Sequence, residues 1–593
     1  MASFYLILII ILFILAISDL IVGVSNDAVN FLNSAVGARA ATLQTIILFF
    51  FFGVLIGATF SSGMMEVARK GIFHPEYFYF SEIMILFMAV MVTDVILLDA
   101  FNTFGMPTST TVSIVFELLG AAVAISLVKI LNDPNALQLY EYINSAKALA
   151  IISGILVSVV IAFTTGVFTQ YISRLFFSFD YEERMRKYGA IWGGLGIMGI
   201  FYFMLIKGAK GAAFLSDDFV NSLTENTTIL LLTCFIGGSI ILYLLNRIFK
   251  IDILQVLVLF GTFALAMAFA GNDLVNFIGV PLAGYNSYQL YLDSGSMPDG
   301  LLMNGLAGQV PTPIILLLLA GLVMVITLYT SKKAQSVLRT SVDLGRQDEG
   351  YERFGSFMLS RTIVRRFATL AGFINDRLPK KWQQLVDRQF DQTAFTRKQV
   401  HLGKDAPAFD MIRASVTLVV ASSLIAIGTN LKLPLSTTYV TFIVFMGTSL
   451  ADGACGRESA VYRVSGVLTV IGGWFFTALS AFIVAFTFAM IFQYGGFIAM
   501  AILLVVAGFL MMRTHRMHGQ KLEEEQALEK TVDEGTLSKA KVINLCVTQL
   551  KSFLKQYGDL LDKSFVALGE ENLSALNKIF QAFKPVQDKI LSL

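Results

Sequence analysis

Long apolar stretches separated by short polar ones run through most of this 593-residue chain. They fall at about 4–24, 42–62, 81–101, 108–131, 147–172, 189–207, 228–247, 251–270, 312–330, 411–429, 435–452, 464–491 and 495–512. Each is near the ~20 residues that a bilayer core requires of a helix. Lipid offers no partner to a backbone N–H or C=O, so a chain of this kind is forced into helices that satisfy their own backbone. Composition agrees, with 56% hydrophobic and only 15% charged residues, against about 25% charged in soluble domains. The fold class expected is therefore an all-α polytopic membrane protein with about 12–13 membrane segments, some of them re-entrant or broken.

Little else in the composition points to chemistry. The net charge of +2 averages over charge that is segregated along the chain. Cys234, Cys455 and Cys546 show neither metal-ligand spacing nor the even count of a disulfide framework. His74, His401, His515 and His518 likewise lack metal spacing. The first residues, Met1-Ala2-Ser3-Phe4, have no basic region, so the first apolar run reads as a membrane helix rather than a cleaved signal.

Orientation and organisation follow from the polar segments. Residues 331–413 hold 16 Lys/Arg against 9 Asp/Glu; Arg174, Arg184, Arg186 and Lys187 cluster between two spans; 285–310 contains no Lys or Arg. Basic loops stay in the cytoplasm. This places the N-terminus outside and both 331–413 and the C-terminus in the cytoplasm, with Arg69-Lys70 dissenting. Residues 1–250 form a first membrane repeat with following helices, 251–330 start a second, 331–410 are a basic cytoplasmic insert, and 411–512 complete the second repeat. In 513–593, Val542, Leu545, Leu550, Phe553, Leu554, Leu560, Leu561 and Phe565 recur at helical spacing. That pattern predicts a cytoplasmic amphipathic helical tail.

Two short motifs define the repeat. Asn26-Asp27-Ala28-Val29-Asn30-Phe31 and Asn272-Asp273-Leu274-Val275-Asn276-Phe277 are identical at five of six positions. Each follows an apolar run. A second pair, Pro107-Thr108-Ser109-Thr110-Thr111 and Pro434-Leu435-Ser436-Thr437-Thr438, comes later in each half, in the same order. From Asp27 to Pro107 is 80 positions and from Asp273 to Pro434 is 161; the excess of 81 is mostly the 331–410 insert. The counterpart of the first helix is the seventh span after it. The odd number gives the halves opposite orientation, the inverted-repeat plan of secondary transporters, whose site lies at the repeat interface near the midplane.

These residue types suit an anion flanked by cations. A carboxylate at membrane depth costs roughly 2.5–3.5 kcal/mol on insertion scales, and this chain carries the same one twice. Pro107 and Pro434 suit the first turn of a helix. Ser-Thr-Thr then lies at a helix N-terminus, where free N–H groups and the dipole attract an anion. Asp27 and Asp273 repel an oxyanion unless cations sit between. Carboxylate, amide and hydroxyl oxygens are hard ligands, suited to Na⁺ or a proton. The alternative reading, polar residues gluing helices at roughly 0.6 kcal/mol per bond, explains a lone motif better than a repeated pair. Asp94, Asp99 and Glu117 also lie in apolar surroundings, where they either relay protons or pair within the bundle. Lys432 and Arg39 flank the motifs and read as membrane-edge residues. Phe49–Phe52 reads as lipid-facing or core packing.

Together these motifs resemble the inorganic phosphate transporter (PiT) family, which carries a Gly-x-Asn-Asp-x-x-Asn signature and a Pro-x-Ser-Thr-Thr-His signature in each half. Asp252 to Leu257 and Glu66 to Ile72 also resemble family segments. The resemblance covers most of 1–330 and 411–490. It implies symport of phosphate with Na⁺ or H⁺ across the inner (cytoplasmic) membrane by a homodimer with inverted repeats. It implies that Asn26, Asp27, Asn30, Asn272, Asp273 and Asn276 bind substrate together with Ser109, Thr110, Thr111, Ser436, Thr437 and Thr438. Asp27, Asp273, Asn30 and Asn276 would hold sodium if sodium couples; no other cofactor is expected. Three departures stand out. Val112 and Tyr439 replace the histidines, Val24 replaces a glycine, and the Phe-rich second helix lacks a glutamate that some members have. The 331–410 insert resembles that of bacterial members with cytoplasmic extensions, and the tail resembles part of a PhoU-like helical domain.

Other classes remain open on sequence. A sulfate permease would use the same fold. An intramembrane aspartyl protease would use two aspartates as a proton-sharing dyad, yet Asn precedes both Asp residues where such proteases carry Gly-x-Gly-Asp. A membrane sensor would use the insert and tail as output. No enzymatic activity is expected.

Overall fold

The computed structural model describes residues 2–593 except 28, 105–107, 203–216, 309, 311, 332–356 other than 334, 338 and 342, then 376, 378, 394, 398–405, 453–455, 534–538, 570–571 and 582–593. The described residues are overwhelmingly helical, with two isolated bridges, Phe73 to Ile143 and Tyr79 to Leu302. They separate into two units, Met1–Met511 and Met512–Leu593.

Nine described helices in the first unit are long and apolar enough to cross a bilayer, and two shorter apolar ones, Ile314–Thr330 and Thr437–Ala451, join them. The stretches 464–491 and 495–512 fall in one helical run, Ala460–Phe509, bent at Gly496. The bend has φ 57° and ψ −150°, a conformation open chiefly to glycine. The 189–207 stretch falls on Glu182–Phe201, whose first turns carry Glu182, Glu183, Arg184, Arg186 and Lys187. Counting the bent run as two crossings, all thirteen apolar stretches find a helix.

Polar side chains start several of these helices. Thr42, Ser109, Asn144, Asp252, Asp410 and Ser436 each accept a first-turn backbone N–H, satisfying donors that the helix leaves orphaned. Pro434 does not sit in a first helical turn. The second helix begins at Thr437 with Ser436 as its cap, so Pro434 lies two residues outside. Pro107 is outside the described residues, and the helix after it begins at Thr110. Serine takes the cap because its hydroxyl can accept an orphan N–H, whereas proline lacks any side-chain acceptor.

The Ile253–Ser294 helix forms the centre. Its 42 residues run without a break through Pro281, and its whole middle section is buried. Leu43–Phe60, Met411–Asn430, Ala2–Asp27 and Phe80–Phe104 pack around it. Close approach is permitted by glycine: a Cβ at Gly53 or Gly57 would collide with the backbone carbonyls of Phe263 or Met267. This Gly-x-x-x-Gly spacing is a usual contact face between membrane helices. Phe50 is fully buried on the same helix while Phe52 faces outward, so the Phe-rich run serves both core and exterior.

One end of the bundle is tied by buried charge. Arg174 forks to both oxygens of Asp410 (Nη1–Oδ2 2.6 Å, Nη2–Oδ1 2.8 Å) and both of Asp452 (Nε–Oδ1 2.8 Å, Nη2–Oδ2 2.9 Å). Gln170 Nε2 adds a bond to Asp452 Oδ1 at 2.6 Å. Within the insert the helices Met358–Asn375 and Lys380–Gln389 are described. The second unit contains the helix Lys539–Gly569, matching the periodicity of its apolar residues.

Candidate functional site

Both Asn-Asp motifs and both Ser-Thr-Thr motifs meet in the core of the first unit. Thr110 Oγ1 donates to Asp27 Oδ2 at 3.1 Å. Thr437 Oγ1 donates to Asp273 Oδ2 in the same way. In each repeat, then, the first threonine after the cap serine holds the aspartate of its own half. Asp27 and Asp273 are each 1% exposed.

The halves also bond across. Asn276 Nδ2 donates to Thr111 Oγ1 at 2.9 Å and to Thr110 Oγ1 at 3.4 Å. Thr111 Oγ1 donates to the Leu435 carbonyl at 3.1 Å. A run of donors therefore leads from Asn276 of the second half, through Thr110, to Asp27 of the first. Asn272 Nδ2 donates to Thr429 Oγ1 at 2.9 Å and to the Leu433 carbonyl at 3.5 Å, bracing the turn before the second Ser-Thr-Thr.

Ser109 and Ser436 serve as helix caps, accepting from Val112 N at 3.3 Å and Tyr439 N at 3.4 Å. The positions where family members have histidine thus contribute a backbone N–H to the cap. The side chain of Asn26 lies outside the described residues, and Asn30 is half-buried. The structure brings the remaining ten predicted site residues into one polar region, or onto the helix starts that border it.

This region has a surplus of acceptors. Asn272 Oδ1, Asp273 Oδ1, Asn276 Oδ1 and Thr438 Oγ1 are buried and accept nothing from the protein. A buried acceptor left without a donor costs roughly 1–3 kcal/mol, so such a set calls for a ligand that brings hydrogen or positive charge. Hard cations suit carboxylate and amide oxygens. The N-termini of Thr110–Asn132 and Thr437–Ala451 supply the opposite character, first-turn backbone N–H groups without an intrahelical acceptor and positive dipole ends. An oxyanion accompanied by cations or protons satisfies both.

The second Asn-Asp lies mid-way along the unbroken Ile253–Ser294 helix, so no helix end falls at that motif. The breaks that expose helix ends are instead at the Ser-Thr-Thr segments, where Lys432 turns the chain at φ 53°. Lys432, half-exposed, has its Nζ 2.6 Å from Glu66 Oε2. Sequence reasoning passed over Glu66 and Asp19 as functional candidates; Asp19 carried a signal, an acid inside the first apolar run.

The model of the phosphate transporter family matches residues 23–337, more than half of the chain. The chain belongs to that family. A protein of Pyrococcus furiosus named as a candidate phosphate permease is 27% identical over 314 residues, which span 50% of this chain and 67% of the relative. Among solved structures, one titled the sodium-dependent phosphate transporter superposes with a TM-score of 0.58 at 16% identity, covering 82% of this chain and 99% of its own. The family member described here is thus a multi-pass, all-helical protein with a transporter fold.

Proposed function

We propose that this protein is an ion-coupled symporter of inorganic phosphate, moving the anion with Na⁺ or H⁺ through the centre shared by its two repeats. Family membership supports phosphate as the substrate. The observation that carries the reading is the doubled Asp–Thr pair, set beside helix N-termini and beside buried acceptors that lack donors. Asn272, Asp273, Asn276, Asn30, Asp27 and the Ser-Thr-Thr hydroxyls are the proposed lining, with the carboxylates and amide oxygens facing any coupling sodium. Asn26 belongs to the same proposal on its motif position.

The spare acceptors also favour phosphate over sulfate. Near neutral pH phosphate carries a hydrogen that can be donated to Asn272 Oδ1, Asp273 Oδ1 or Asn276 Oδ1, and sulfate carries none. A site built to accept a hydrogen bond rejects the analogue that cannot donate it. The repeats' contacts also argue against a protease dyad, since each aspartate takes a threonine hydroxyl of its own half.

The remaining particulars of the proposal are an inner (cytoplasmic) membrane location, an external N-terminus, a cytoplasmic C-terminus and a homodimer. The basic 331–413 segment supports the orientation, and the family resemblance supports the dimer. Reconstituted uptake tests the function. Radiolabelled phosphate and sulfate are offered to proteoliposomes under Na⁺ and H⁺ gradients imposed separately. Phosphate uptake driven by one gradient is expected; uptake of sulfate in preference to phosphate, or of neither, overturns the reading.

A further inference from the structure

Three acids outside the Asp–Thr pairs converge inside the first repeat. They are Asp19 from the Ala2–Asp27 helix, Asp94 from Phe80–Phe104 and Glu117 from Thr110–Asn132. They are 1%, 2% and 0% exposed. Ser113 Oγ donates to Glu117 Oε1 at 2.6 Å. Asp94 lies within hydrogen-bonding reach of Asp19, Ser113 and Glu117.

Hydrogen supply at this cluster falls short. Asp19 projects into it with neither carboxyl oxygen receiving a donor, and Asp94 Oδ1 and Glu117 Oε2 receive none either. Ser113 has a single hydrogen to give. Two carboxyl groups in contact hold together only when a hydrogen or a cation lies between their oxygens.

Among the described residues, neighbouring groups do not supply the charge. Glu117 is acted on by Asp94 and Ser113; Asp19 is acted on most by Asp94, Glu117 and Asp27. The central Ile253–Ser294 helix brings Asp273, whose acidic neighbour is Asp27. Ile314–Thr330, packed on Ala2–Asp27, has no charged residue. The Ala460–Phe509 run, packed at Leu97 and Phe101, carries Arg463, which acts on Arg413. Asp99, on the same helix as Asp94, is half-exposed. Among the described residues no group of three acids, histidines or cysteines is arranged to hold a metal ion.

We propose that Asp19, Asp94 and Glu117 form a proton-binding site, separate from the phosphate centre and linked to it, whose proton is bound and released during transport. The link is short and built of side chains. Thr110, which holds Asp27, lies on the same helix face as Ser113 and Glu117, one and two turns ahead. A proton taken from water sits on one carboxyl oxygen and is donated to the next; its loss leaves adjacent negative charges facing Asp27. The inference rests on the phosphate-transport reading and narrows its coupling ion to the proton.

The test uses the full chain. Infrared spectroscopy at neutral pH reports the carbonyl stretch of a neutral carboxylic acid without any need for transport. The band is expected in the unaltered protein, reduced in Glu117→Gln and reduced further in Asp19→Asn/Asp94→Asn/Glu117→Gln. An unchanged band in the triple variant overturns the proposal. So does a band that disappears on adding Na⁺ at constant pH, which would assign the cluster to the metal. In proteoliposomes, Glu117→Gln is expected to keep phosphate counterflow and to lose the stimulation of net uptake by an inward proton gradient. Retained stimulation overturns the proposal. Phosphate's own titration is common to both proteins and cancels in the comparison. Glu117→Gln is nearly isosteric, and its folding is checked by size exclusion. Failure of the unaltered protein to move phosphate would sink the transport reading alone, leaving the infrared band to decide the proton site.

Discussion

Lys432 Nζ lies 2.6 Å from Glu66 Oε2, joining the turn before the second Ser-Thr-Thr to the short Met65–Lys70 helix of the first repeat. Glu66 also faces Lys70 and Lys147, each at 3.5 Å. Lys432 is 51% exposed on its side chain, so its pair is solvent-screened and contributes only about 0.2–1 kcal/mol. Lys432→Ala is accordingly expected to change the concentration dependence of phosphate uptake by no more than roughly fivefold. The difference should shrink as salt is raised. Initial-rate uptake at two ionic strengths measures it.

Removing charge at the centre is a harsher change. Asp27→Asn and Asp273→Asn should each abolish gradient-driven phosphate uptake while leaving membrane insertion intact. Survival of radiolabelled uptake in both variants would show that the twin aspartates are structural.

The threonines offer a graded version. Thr110→Ala and Thr437→Ala remove the hydroxyl that each aspartate accepts. A hydrogen bond to a charged group contributes about 1.5–3 kcal/mol, or roughly 10- to 150-fold. Loss of that order in uptake efficiency is expected for both variants, and because the pairs correspond, the two losses should be similar.

Helix contact at Gly57 is testable through stability. A leucine there must displace the backbone of the Ile253–Ser294 helix, and overpacking of this kind costs about 1–3 kcal/mol. Gly57→Leu should lower the unfolding temperature of the detergent-solubilised protein. Gly237→Ala, where nothing lies within 4 Å of the new Cβ, should leave it nearly unchanged. Thermal scans of both variants give the comparison.

Asp452→Ala should be strongly destabilising. It strips Arg174 of one of its two carboxylate partners inside the protein. Arg174 keeps Asp410, but Arg174 Nε and Gln170 Nε2 lose their acceptor inside the protein, at about 1–3 kcal/mol for each buried donor left unpaired. Poor recovery of folded protein on size exclusion is the expected readout, with Asp452→Asn, which keeps an amide oxygen to accept, less affected than Asp452→Ala.

The apolar runs were enough to determine helices in a bilayer, because their length and the absence of water leave a backbone no other choice. The two motif pairs, repeated in the same order, were enough to name candidate residues for the site, because their spacing is a property of the chain. Helix caps were partly legible: the serines were seen as part of an anion site, while their role as caps depends on where each helix starts. Tertiary structure decided the rest. It paired each aspartate with the threonine of its own repeat, carried Asn276 across to the other half, placed the second Asn-Asp in an unbroken helix, and gathered Asp19 with Asp94 and Glu117. These outcomes turn on how closely and at what rotation helices cross. Such crossings are set by glycine contacts between segments far apart in the chain, as Gly53 and Gly57 meet Phe263 and Met267, and no local pattern encodes them.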